Sequence, residues 1–267
     1  MPGRFANLEF DHRQRHAEQR ELESRSQQCT REEAAASLLA QANDAYHWGR
    51  FESALRLYTR ALKEERTLIP AWVGQVQILV QLDECHEARV WSDKGLELFR
   101  NNGELLAAKA QACARLNDAK SASACSDAAL AAPGASPWRW IARGEMLLAR
   151  RQKFAAECFQ KAVAEPAADW FDHVVIARIH MHYMRVTNAL HYLRQALELE
   201  PTHGYIWFEM GNCQRGLGLL PAAAQSYQRC LELRADYVEA ERALESLSDG
   251  SSLFARLRLI FGRRRRP

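Results

Sequence analysis

Residues 204–237 read GYIWFEMGNCQRGLGLLPAAAQSYQRCLELRADY, two helix-length stretches on either side of a glycine-containing turn at Gly216–Gly218. Small residues punctuate both stretches: Gly211 in the first, Ala223 and Cys230 in the second. Working back along the chain, the alanine recurs at Ala189, Ala155, Ala122, Ala88 and Ala54, each step being 33 or 34 residues. Seven residues after each rung stands another small side chain: Ala61, Gly95, Ala129, Ala162, Ala196 and Cys230. An aliphatic residue always follows: Leu62, Leu96, Leu130, Val163, Leu197 and Leu231. A period of this length signals a solenoid, in which each unit buries its core against its neighbours.

Twelve residues before each alanine the chain is again small or short, at Ala42, Val76, Ala110, Ala177 and Gly211, with Gly144 in the unit that carries a deletion. Small residues there let two antiparallel helices approach closely. Trp72, Trp140 and Trp207 precede the slot by four residues as wedges between units. Tyr58, Phe159, Leu193 and Tyr227 follow the alanine by four, while units two and three carry Ser92 and Ser126. This pattern resembles the tetratricopeptide repeat over about residues 35–237, or six units, with Trp207, Met210, Gly211, Ala223 and Tyr227 as its fullest copy. The resemblance implies an all-α fold: a right-handed solenoid of antiparallel helix pairs closed by a capping helix. Turn formers at Gly49-Arg50 and Asn117-Asp118 fall within units, and Pro70, Pro133-Gly134, Pro166 and Pro201 fall between them. No stretch sustains period-two alternation, so we expect almost no strand.

Three segments follow. Residues 1–34 are polar and mixed in charge, which reads as a solvated extension. Its alternative is an arm docking through Phe5, Leu8 and Phe10. It is neither a secretory signal nor a transit peptide by composition. Residues 35–247 are the solenoid, with a capping helix over Val238–Leu247. Residues 248–267 are a linker and a basic tail. Six arginines and no acid in residues 251–267 turn a body of about −3 into a chain of +3. That is not the evenly basic surface of a nucleic-acid binder, and we expect no nucleic-acid partner.

In arrays of this family the first helix of each unit lines a concave channel that takes extended or helical peptides. Residue by residue, the resemblance places Asn43, Trp138, Phe171, Arg178, Tyr205, Phe208, Asn212 and Arg215 there. The first half of that channel is amide-rich and the second aromatic, so units four to six are expected to supply the anchors. The competing reading is that these aromatics pack between units. A carboxylate clamp known in some members is absent, because only Asn43 matches it, whereas Leu39, Ala107 and Ala108 stand where cations are needed.

In the tail, Leu253, Phe254, Leu257, Ile260 and Phe261 share one helical face, with Arg256 and Arg258 at its margins and Arg263, Arg264, Arg265 and Arg266 beyond. This suits an anionic membrane surface, a protein partner, or packing on the solenoid with a solvated end. Its length is far short of a membrane span.

Chemistry finds little footing. The seven cysteines include no C-x-x-C pair and read as buried small hydrophobes in a reducing compartment, with a reactive thiol as the alternative. His173, His180, His182 and His191 lack the spacing of a helical zinc site. We expect no enzyme activity, no cofactor and no metal. The expected role is a cytoplasmic adaptor or scaffold holding a segment of a partner protein. The rivals are a membrane tether at the inner face of a membrane and a regulatory subunit of a separately encoded enzyme. Oligomeric state is left open.

Overall fold

The structure, a computed structural model, describes the backbone of residues 6–247 and side chains from residue 27. Twelve helices pair as α1 (Ala6–His47) with α2 (Phe51–Glu64), α3 (Ile69–Gln81) with α4 (Cys85–Leu98), and α5 (Gly103–Arg115) with α6 (Ala119–Ala131). Then come α7 (Pro137–Ala149) with α8 (Ala155–Ala164), α9 (Trp170–His182) with α10 (Val186–Leu199), and α11 (Gly204–Gly216) with α12 (Leu220–Leu233). A further helical stretch over residues 238–247 caps the last pair. There is no strand among the described residues. The first helix does not begin at the repeat: α1 runs unbroken through residue 34 into unit one. Phe5 lies outside the described residues.

The small-residue ladder is the packing surface within each pair. Ala54, Ala88, Ala122, Ala155, Ala189 and Ala223 are all buried. A side chain at Gly144 would start 2.5 Å from the Phe159 ring, and one at Gly211 would meet Tyr227 at the same distance. Those aromatic rings therefore occupy the space that a Cβ would need, which ties the slot to the position four residues after the alanine. The tryptophans do close the units' ends. The indole N–H of Trp72 donates to the Arg66 carbonyl, that of Trp140 to Glu165, and that of Trp207 to the Pro201 carbonyl.

Every turn inside a unit is made in the same way. Gly49, Asp83, Asn117, Arg151, Met184 and Gly218 all have φ between 55° and 75°. The next residue's N–H returns to a carbonyl in the last turn of the first helix, as from Arg50 to Ala45 and from Arg185 to His180. This left-handed closure satisfies the orphan carbonyls of a helix end, and it favours glycine or asparagine. Three of the six positions carry neither.

The array coils far enough to meet itself. The turn after α1 seats against units five and six and the capping helix. Tyr46 lies edge-on to Phe171 at 4.9 Å, Trp48 packs on His203 at 4.0 Å, and the Arg234 guanidinium covers Trp48 at 4.0 Å. The Tyr237 hydroxyl donates to the Trp48 carbonyl, and Arg50 pairs with Asp236. Gly49 is required here twice over: its φ is +67°, and a Cβ would fall 2.2 Å from the Tyr205 ring.

Candidate functional site

Self-contact changes what the concave face offers. The first helices of the units face one another around the axis, and aromatic and charged side chains from opposite sides fill the middle. Tyr205 is 1% exposed, with Phe51 6.5 Å away. Arg178 lies 4.6 Å over the Phe51 ring and donates to Gln81, 97 residues distant in the chain. Among the described residues, two of the cavities are lined mainly by these first helices.

The first, about 480 Å³, opens where the end of α1 lies against the starts of α7 and α9. Asn43 and Gln77 border it, with Tyr46, Trp138 and Phe171 among its aromatic lining and Asp172 at its edge. Local rules shape this rim. Ser136 caps α7 by accepting from the Trp138 N–H, and Asp169 with Asp172 forms a reciprocal capping box on α9. Tyr46 and Trp138 are each more than nine-tenths buried, yet the Tyr46 hydroxyl and the Trp138 indole N–H have no hydrogen-bond partner among the described residues. Burial drives the Asp172 carboxyl up to about 7; its bond from the Asp169 N–H opposes this, and the Asp169 and Glu104 carboxylates reinforce it. Burial also lowers the His47 imidazole, against the pull of Asp169 and Asp44.

The second cavity, about 310 Å³, is bordered by Gln81, Asp83, Arg115, Arg178, His182 and Asn212. Its charges are already matched. Arg115 donates to Glu145 at 2.6 Å and to the Val80 carbonyl, while Gln111 donates to the other oxygen of Glu145 at 2.7 Å. Arg178 meets Glu209 at 2.5 Å, and Tyr205 donates to the same carboxylate. Burial works against charge on Arg178, but Tyr205 and Glu209 outweigh it and raise its affinity for the proton.

The residues expected in one continuous channel are thus divided. Asn43, Trp138 and Phe171 border the first cavity, and Arg178 and Asn212 the second. Tyr205 is buried, with Phe208 partly buried beside it, and Arg215 is solvent-exposed. Asn43 and Asn212 are tied down by the hydroxyls of Tyr58 and Tyr227. Tyr46 and Gln77 stand at groove positions of the repeat, whereas Asp172 and Glu104 are lining residues that the repeat pattern did not point to. The sign that could have found Asp172 is the D-x-x-D capping box, which puts a carboxyl at a helix start facing the axis.

The histidines fall apart as a cluster. His173 and His180 are buried beside Tyr192, and His182 and His191 are exposed. Among the described residues no group of three or more His, Cys, Asp or Glu could hold a metal ion. Five cysteines are buried, Cys125 is partly so and Cys29 is exposed. Burial pushes the Cys213 and Cys230 thiols up to about 12, away from thiolate chemistry. The tail residues Phe254, Arg256, Leu257, Arg258, Ile260, Phe261 and Arg263–Arg266 lie outside the described residues. No helix among the described residues is long and apolar enough to cross a membrane.

Paired helices, a 34-residue ladder and left-handed turns in register define a tetratricopeptide-type α-solenoid. No family model matches the chain. It is similar to superkiller complex protein 3 of Mus musculus, at 29% identity over 162 residues, which is 60% of this chain. The chain spans about 10% of the length of that relative. Among solved structures it is similar to a tetratricopeptide repeat protein from Parabacteroides merdae, at 15% identity and a TM-score of 0.49 over 80% of this chain and 84% of that one. It is also similar to YrrB, described as a tetratricopeptide protein with an unusual peptide-binding site, at 18% identity and a TM-score of 0.40 over 70% of this chain and 97% of that one.

Proposed function

We propose that this protein is a non-enzymatic adaptor that holds a segment of a partner protein at the aromatic cavity between unit one and units four and five. One observation carries the reading: buried Tyr46 and Trp138 border an open cavity and keep a hydroxyl and an indole N–H unbonded. Buried polar groups are seldom left unpaired, because each costs about 1–3 kcal/mol, so a small rotation of these side chains onto a ligand's acceptors would relieve that cost. Peptide carbonyls are such acceptors. Phe171 and Trp138 supply the apolar contact, and Asn43 and Gln77 the polar border.

The second cavity supports this role poorly, since its arginines are already bound to Glu145 and Glu209. The test is affinity capture of partners from the native host. Val73 and Gln77 border the first cavity without being fully buried, so V73R/Q77R fills it, and because Val73 also packs against the core of units two and three, retained helicity is checked alongside by circular dichroism. Loss of capture is expected; undiminished capture would remove this cavity as the site.

The helical spacing of the tail's apolar residues in the sequence, with its six arginines, supports a subsidiary reading, attachment to an anionic membrane surface. Co-sedimentation of the full chain and of a chain ending at Ser248 with anionic vesicles tests it, and equal binding by both would reject it.

A further inference from the structure

We propose that the first cavity is a receptor for an arginine side chain of the partner segment, its guanidinium resting among Tyr46, Trp138 and Phe171 and paired with Asp172. This rests on the adaptor reading and gives its ligand a chemistry. Three independent features converge. The lining includes the aromatic rings of Tyr46, Trp138 and Phe171, a residue type whose π-face attracts a cation and whose flatness matches a guanidinium. Two buried polar atoms of lining residues, the Tyr46 hydroxyl and the Trp138 indole N–H, have no partner among the described residues, and a small rotation of either side chain would bring it to the carbonyls that flank such a guanidinium.

The third feature is uncompensated negative charge. Glu104 is occupied by Arg139 at 2.8 Å and by Ser136. Among the described residues Asp172 accepts only the Asp169 N–H, at 3.1 Å, and no ion pair reaches it. The titratable groups around it are Asp169 beside it on the same helix start, Glu104 from α5, and Tyr46 and His47 from α1. None of these supplies a cation at neutral pH, because burial holds His47 neutral and Arg139 is spent on Glu104. An arriving guanidinium supplies the missing charge and displaces the proton from Asp172.

Linkage then fixes the pH dependence. Affinity should fall as the medium is acidified below about 7, by up to about tenfold per unit, because the carboxyl must be deprotonated to pair.

The probes are two blocked pentapeptides, acetyl-Gly-Gly-Arg-Gly-Gly-amide and its citrulline counterpart, which keeps the shape and removes the charge. They are titrated into the full chain while the Trp138 indole ¹⁵N–¹H resonance, assigned with W138F, is followed. The arginine peptide should move that resonance, and the citrulline peptide should bind at least about tenfold more weakly. Asp172→Asn should erase both the preference and the pH dependence. As Asp172 also caps α9, the wild-type pH profile provides the same test without a substitution. Equal binding of the two peptides, a flat pH profile, or no shift with either peptide at millimolar concentration would overturn the arginine receptor. None of those results touches the adaptor reading, which stands or falls on host-partner capture by V73R/Q77R.

Discussion

The two cavities on the concave face are both lined chiefly by the first helices of the units and end up chemically opposite. At the second, every arginine has found an acid of the chain: Arg115 holds Glu145, and Arg178 holds Glu209. At the first, among the described residues, Asp172 has no cation and two buried donors have no acceptor. A paired network inside a protein rigidifies and specifies it, whereas an unpaired one is a standing cost that a ligand can relieve. Charge on the concave face is therefore no guide to binding until its partners are counted.

The largest expected effect is at the paired rim. Glu209→Ala leaves the partly buried Arg178 without its anion and should cost about 1–3 kcal/mol in urea unfolding, with the wild-type denaturant slope retained. A cost under about 1 kcal/mol would mean that water already screens the pair. Next comes the contact that creates both rims. Gly49→Val forces a β-branched side chain into a left-handed turn and against Tyr205, so unit one should swing away from units five and six. Hydrogen exchange at residues 46–50 should rise sharply, while α5 to α8 stay protected. Uniform protection would show that the closure does not depend on that turn.

At the unpaired rim the sign reverses. The Asp172 carboxyl ordinarily titrates near 3.8 and is raised to about 7 in the fold, so folding favours its neutral form. Its contribution is therefore intact below about pH 4 and is lost as pH rises through 7. Asp172→Asn should raise the melting temperature at pH 8 and leave it nearly unchanged at pH 4. A drop at pH 8 would contradict the uncompensated charge. The smallest effect lies in the turns: Met184, 82% exposed with φ of 57°, should gain about 0.5–1 kcal/mol as Met184→Gly without altering either cavity.

The ladder made the helices, their pairing and their close-packed faces legible, because steric demand recurs at a fixed spacing in every unit. It did not reveal the closure. The meeting of Trp48 with His203 and Tyr237 depends on small rotations summed over six units, and no residue pair announces that sum. Half of the turns were hidden too, since Asp83, Arg151 and Met184 adopt the left-handed conformation without being turn formers. The anchors were legible as residue types but not as roles. Phe171 and Trp138 do border a cavity, but Tyr205 is spent on Phe51 and Glu209. Arg178 could not have been read as structural, because its partner Gln81 belongs to another unit three places back.

Capture of host partners by two variants side by side tests the division most directly. V73R/Q77R fills the unpaired cavity, and His182→Arg alters the exposed border of the paired one. The account predicts that capture is lost with the first and retained with the second. Retention with V73R/Q77R together with loss in His182→Arg would place the partner on the sealed side and contradict it.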